Sequence, residues 1–228
     1  MANGRKGIGK VLSEALDIIA ANPLIIVLYL IPLVLIVIGL VTAVGVFVSR
    51  ATMYRGFEID PRFFLNSALA FLGFASIFGI IAWIFGIVAD AFAINITYNA
   101  AQGKKVTLSE AWNQIGAGKI LVLLVVSIIT AILTILGFFV FCIGALIVMI
   151  LLIFVKQGIV VDDLDLGAAF SNSYNIAKNN FFDILILVLI FFVLTIIMFA
   201  IPWIGGILAI FVGMYATVAY TVLYLDRK

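Results

Sequence analysis

Asp90 is the one acid set inside a long apolar context in this chain, and a carboxylate in that setting is costly enough to suggest a proton relay or an ion gate. Counted from Arg62 at about 1.5 Å per residue, however, Asp90 falls about 40 Å along a helix, at a membrane interface rather than a bilayer centre. An anchoring ion pair with Lys156, at the end of a later apolar run, is therefore the expected role. Asn95, Thr97, Tyr98 and Asn99 continue the polar character beyond Asp90 and are expected to contact neighbouring helices. A second set of charges, Asp162, Asp163 and Asp165 against Lys104 and Lys105, offers contrast of the kind that orients a protein partner or a lipid headgroup. Glu110, Trp112 and Tyr174 complete the candidate interface residues.

Other chemistry is excluded by what the chain lacks. It has no histidine, and Cys142 is its only cysteine, which removes imidazole bases, His or Cys metal clusters and intramolecular disulfides. No carboxylates cluster at a depth where they could work on a lipid, so no catalytic residue, cofactor site or metal site is expected, and the chain reads as non-enzymatic. A net charge of +2 is too small to argue for nucleic acid.

These residues must be positioned by membrane helices. The chain is 66% hydrophobic and 11% charged, with a mean hydropathy of +1.37, whereas soluble domains are about half apolar. Runs of roughly 20 apolar residues without strand-like alternation indicate α-helical spans. The first is expected over 23–48, with Pro32 kinking it, and a polar segment over 49–62, including Arg50, Arg55 and Arg62, follows it. The second begins near residue 63 and continues to a stop at Gly103. The stretch 119–155 is nearly double what one span needs, so it divides around Gly137. Residues 181–200 and 203–225 form the last pair, turning at Ile201-Pro202 and Gly205-Gly206. Gly73, Gly79 and Gly86 suggest that the second helix is closely approached, and Trp83, Trp203, Tyr220 and Tyr224 are expected interface anchors.

Each pair of spans is preceded by a similar cassette. Leu12-Ser13-Glu14-Ala15-Leu16 returns as Leu108-Ser109-Glu110-Ala111-Trp112 and, more loosely, as Leu166-Gly167-Ala168-Ala169-Phe170. The first lies in a segment whose apolar face is Ile8, Val11, Leu12, Ala15, Ile18 and Ile19. The second has Leu108, Ala111, Trp112 and Ile115 on one face, with Thr107 and Glu110 at capping-box spacing. The third places Ala169, Phe170, Ser173, Tyr174 and Ala177 on a stripe, turns Asn172, Asn175 and Lys178 away, and uses Asp165 as a cap. Asp183 is expected to cap the fifth span. The expected fold is all-α integral membrane: six transmembrane helices as three hairpins, each preceded by a cytoplasmic interfacial amphipathic helix. It forms a single polytopic domain over 1–228 with repeat units of about 5–102, 103–161 and 162–228.

Basic residues set the orientation. Arg5, Lys6, Lys10, Lys104, Lys105, Lys119, Lys156, Lys178, Arg227 and Lys228 fall on the side of the termini, against Arg50, Arg55 and Arg62 on the other. Ten against three places both termini in the cytoplasm of a cell membrane. Arg5 and Lys6 precede no apolar stretch until Pro23, so no cleaved signal peptide is expected.

The segments ending in Ala21-Asn22-Pro23, running from Gly103 to Ala111, and leading from Val160-Val161-Asp162-Asp163 to Ala168-Ala169-Phe170-Ser171-Asn172-Ser173-Tyr174 carry a family likeness. The chain resembles the six-helix membrane domain fused to some bacterial glycerophosphodiester phosphodiesterases, and related stand-alone membrane families of bacteria and archaea. The resemblance implies the architecture alone: that membrane domain carries no catalytic residues to transfer, and the soluble phosphodiesterase domain has no counterpart here. The function expected from the three cassettes is a cytoplasmic platform, framed by membrane lipids, for lipid headgroups or for a soluble or membrane protein partner. The alternative is a small transporter or channel for an unknown solute, gated near Asp90; the absence of charge near the middle of any span weighs against it.

Overall fold

The computed structural model describes residues 5–53, 61–139, 143–202 and 204–228, and among these every regular element is an α-helix. The helices are α1 (Ile8–Ala21), α2 (Leu24–Met53), α3 (Pro61–Ala101), α4 (Leu108–Phe139), α5 (Ile143–Leu152), α6 (Val155–Asp162), α7 (Leu166–Asn179), α8 (Phe181–Phe199) and α9 (Gly205–Arg227). Six helical stretches are long and apolar enough to cross a membrane: those within α2, α3, α4, α8 and α9, and α5 with α6 taken together. Arg55, Cys142 and Trp203, to which the sequence reading assigns roles, lie outside the described residues.

The chain forms two compact units. The smaller, Tyr29–Gly86, holds most of α2 and the first part of α3. A β-carbon placed on Gly39 would collide with Cβ of Phe78, so the two helices meet there, and Arg50 Nη1 donates to the Asn66 carbonyl at 3.2 Å. Helix α2 runs through Pro32 and on to Met53, beyond the expected end at residue 48. The crowding expected at Gly73, Gly79 and Gly86 is not found: a β-carbon on any of them would meet nothing within 4 Å among the described residues. This part of α3 turns most of its surface outward, and the close approach is made from the α2 side through Gly39.

The larger unit, Met1–Leu28 with Ile87–Lys228, contains the remaining helices and the last third of α3. Within it α4 packs on α5 and α6, α8 on α9, α1 on α8 and α9, and α7 on α5 and α6. Two glycines permit backbone contact between successive helices. A β-carbon on Gly137 would lie 2.9 Å from the Ala145 nitrogen, and one on Gly205 would collide with the Met198 carbonyl oxygen. The stretch 119–155 does divide, but α4 continues through Gly137 to Phe139, and the following helical stretch extends past Val155 to Asp162. That stretch is interrupted between α5 and α6, where Ser173 of α7 inserts its hydroxyl: Phe154 N–H donates to Ser173 Oγ at 3.1 Å, and Ser173 Oγ donates to the Leu151 carbonyl at 2.8 Å.

The cassette segments are separated from the long apolar helices by three breaks with matched chemistry. At Asn22, between α1 and α2, the side-chain amide donates to the Ile18 carbonyl at 2.8 Å while the backbone N–H donates to Ile19. At Asn180, between α7 and α8, the amide donates to Ile176 at 2.8 Å and the N–H to Ala177. Both side chains satisfy a carbonyl that a helix end leaves without its usual donor. The middle break lies inside α4 at Gly116, whose φ of 67° is open to glycine and costly for other residues, and Lys119 Nζ donates to the Gln114 carbonyl at 3.1 Å.

Adjacent glycines at the start of α9 provide a test of this packing. Gly205→Ala is expected to destabilise the detergent-solubilised protein by about 1–3 kcal/mol through overpacking against Met198. Gly206→Ala, in open space, is expected to leave the melting temperature unchanged or slightly raised. Equal losses for the two variants would contradict the contact.

Candidate functional site

The fourth residue of each cassette is alanine, and Ala15, Ala111 and Ala169 are all 0% exposed. Alanine has no side chain beyond Cβ, so each lets its helix backbone approach a neighbour closely. Around Ala15 the buried residues are Val11, Ile18 and Ile19; around Ala111, Ile115; around Ala169, Ser173, Ile176 and Ala177. A β-carbon on Gly158 of α6 would lie 3.7 Å from Cα of Ala169, which identifies one such approach.

The larger cassette residues do the opposite. Leu16, Leu108 and Trp112 are each about half exposed, while Ala111 and Ile115, expected on the same apolar face as Leu108 and Trp112, are buried. On α7 the buried stripe takes Ile176 and leaves Tyr174 exposed, and Asn172, expected to point away, is half-buried and donates to Tyr224 Oη at 2.9 Å. In both segments the small residue controls the approach, and the bulky side chain beside it is pushed outward.

Capping fixes the start of two of these helices. Thr107 N–H donates to Glu110 Oε2 at 2.7 Å and Glu110 N–H donates to Thr107 Oγ1 at 3.3 Å, a reciprocal capping box, so Glu110 is occupied in holding the start of α4. Asp165 accepts from Ala168 N–H at 2.8 Å and caps α7. Asp183 has a different role from the expected one: it lies in the first turn of α8, where its carboxylate accepts from Arg227 Nη2 at 2.9 Å.

The last third of α3 supplies the polar centre. Ala89 to Thr97 are buried apart from half-buried Asp90. Lys156 Nζ donates to Asp90 Oδ2 at 2.6 Å, and Thr217 Oγ1 of α9 donates to Asp90 Oδ1 at 3.3 Å. Asn95 and Asn99 both donate to Gln114 Oε1, at 2.9 and 3.0 Å, tying α3 to the second cassette helix. Phe92 stacks on Trp112 with centroids 6.3 Å apart and an interplanar angle of 17°. Thr97 returns its hydroxyl to the Ala93 carbonyl of its own helix.

Asp162, Asp163 and Asp165, read with Lys104 and Lys105 as a contrast of charge, make their own contacts elsewhere among the described residues. Asp162 accepts from Lys228 at 2.6 Å and from Tyr224 Oη, Asp163 pairs with Lys119 at 2.5 Å, and Asp165 caps a helix. Cations and donors from other helices have taken these carboxylates. Lys104 and Lys105 are exposed and make no ion pair among the described residues, and the same holds for Arg5, Lys10 and Lys178. Tyr224, expected as an interface anchor, is a fully buried core residue.

One cluster escaped the sequence reading. Arg227, whose side chain is almost wholly buried, donates to Asp183, Asp226 and the Lys6 carbonyl, while Lys6 N–H donates to Asp226 at 3.0 Å and Lys6 Nζ to Glu14 at 2.8 Å. The segment preceding α1 is thereby bound to the ends of α8 and α9. The only available signal was the presence of Asp183, Asp226 and Arg227 at the ends of apolar runs. Among the described residues no group of three His, Cys, Asp or Glu side chains is placed to hold a metal ion. No family model matches the chain, and neither a curated protein nor a solved structure is similar to it.

A double-mutant cycle tests the central ion pair. Asp90→Asn and Lys156→Gln are each expected to lower the melting temperature, and the double variant is expected to lose less than the sum, with a coupling on the order of 1 kcal/mol. Strict additivity would contradict a direct interaction.

Proposed function

We propose that the chain is a non-enzymatic multi-pass membrane protein of three helical hairpins, each preceded by an amphipathic helix at the cytoplasmic face. In this reading both termini are cytoplasmic, and that face serves as a platform for lipid headgroups or a protein partner. The observation that carries the proposal is the division of labour within the cassettes. Ala15, Ala111 and Ala169 are fully buried while Leu16, Trp112 and Tyr174 stand exposed, on segments that also hold Lys10 and Lys178, which make no ion pair among the described residues, or that follow Lys104 and Lys105. Exposed apolar side chains next to uncompensated positive charge suit the boundary between acyl chains and anionic headgroups.

The hairpin reading draws support from the contacts at Gly39, Gly137 and Gly205, each between consecutive long helices. The resemblance to the membrane domain of glycerophosphodiester phosphodiesterases is kept as part of the proposal, for architecture alone. A transporter gated at Asp90 has less support, because that carboxylate is engaged by Lys156 and Thr217.

Photoreactive residues placed singly at Leu16, Trp112 and Tyr174 in native membranes test the platform. Adducts with lipid or with one reproducible protein are expected at all three positions. Failure to trap either at any of them would overturn the proposal.

A further inference from the structure

We infer that the start of α4 forms a binding site for one anionic phospholipid, with an acyl chain in an apolar recess and the headgroup phosphate at Lys104 and Lys105. The inference rests on the platform reading and makes it specific. The recess measures about 540 Å³ and is lined by Leu28 of α2, Phe92 of α3, and Leu108, Ser109 and Trp112 of α4. It is an open depression on the surface, in which one acyl chain can lie, entering from the side. Its walls are almost entirely carbon, and the stacked pair Phe92 and Trp112 forms a flat aromatic side along which a hydrocarbon chain can lie.

The occupant is identified by charge. Lys105 precedes Leu108 by three residues, so the two Cα atoms lie within about 11 Å of each other, a separation that a lysine side chain spans in part and the phosphate and glycerol of one lipid complete. Neither Lys104 nor Lys105 has an acidic partner among the described residues. The nearest acid in sequence, Glu110, is held by the backbone N–H and hydroxyl of Thr107. Two ammonium groups without an acidic partner among the described residues, on the segment leading into the start of α4 that lines the recess, match a phosphodiester at the head of an acyl chain. Ser109 in the lining supplies a hydroxyl that can donate to a phosphate or ester oxygen. A zwitterionic lipid fits the slot equally well but returns less electrostatic attraction.

Trp112 reports on its own site. In a Trp83→Phe, Trp203→Phe background, Trp112 is the sole tryptophan, and its fluorescence is read in bilayers of unlabelled phosphatidylcholine containing a minor fraction of acyl-brominated lipid. Brominated phosphatidylglycerol is expected to quench with an apparent affinity on the order of tenfold above that of brominated phosphatidylcholine, and Lys104→Gln with Lys105→Gln is expected to abolish the difference. Equal quenching by the two lipids in the protein with both lysines would overturn the site while leaving the interfacial platform standing. No quenching by either would overturn both. Native mass spectrometry of the unmodified chain gives an independent readout: retained phosphatidylglycerol that survives the double lysine substitution also contradicts the site.

Discussion

Polar groups on the last third of α3 cannot be left against hydrocarbon, and satisfying them organises the larger unit. Asp90, Asn95 and Asn99 lie along a helix whose other residues here are almost all apolar and buried. An unpaired carboxylate or amide in such a place costs free energy that only a partner can recover. The partners come from three other helices: Lys156 from α6, Thr217 from α9 and Gln114 from α4. Holding those three side chains in reach requires α4, α6 and α9 to converge on the same segment of α3. The cassette alanines make comparably close packing possible around it.

The same constraint explains the breaks. A helix that ends beside a bilayer has carbonyls that water cannot reliably reach. Asn22 and Asn180 solve this with a side-chain amide, Gly116 and Lys119 with a left-handed turn and a long ammonium, and Ser173 with a hydroxyl inserted from a neighbouring helix. The cassette segments can thus change direction relative to the apolar helices without leaving a peptide group stranded.

What the sequence disclosed follows interaction range. The capping box of Thr107 and Glu110 and the cap at Asp165 were legible because each closes within three residues, and the six apolar stretches because hydropathy is a local sum. The pairing of Asp90 with Lys156 was legible because few charges border the apolar runs, so few partners were possible. The destinations of Asp162, Asp163, Asp183 and Arg227 were not, since each depends on which distant helix end arrives first. Tyr224 illustrates the same limit: position along a span suggested an interface anchor, while the packing of α6 and α7 onto α9 encloses it. Gly73 and Gly79 show that a small residue permits an approach without requiring one.

Central to the proposed function is that the three cassette segments share a single face of the membrane, the face of the termini. It is tested most directly by placing one cysteine at a time at Lys10, Lys104 and Lys178, in a Cys142→Ser background, and labelling sealed inside-out and right-side-out vesicles with a membrane-impermeant maleimide. All three positions are predicted to label in inside-out vesicles and to remain protected in right-side-out ones. Labelling of any one from the opposite side to the other two would contradict it.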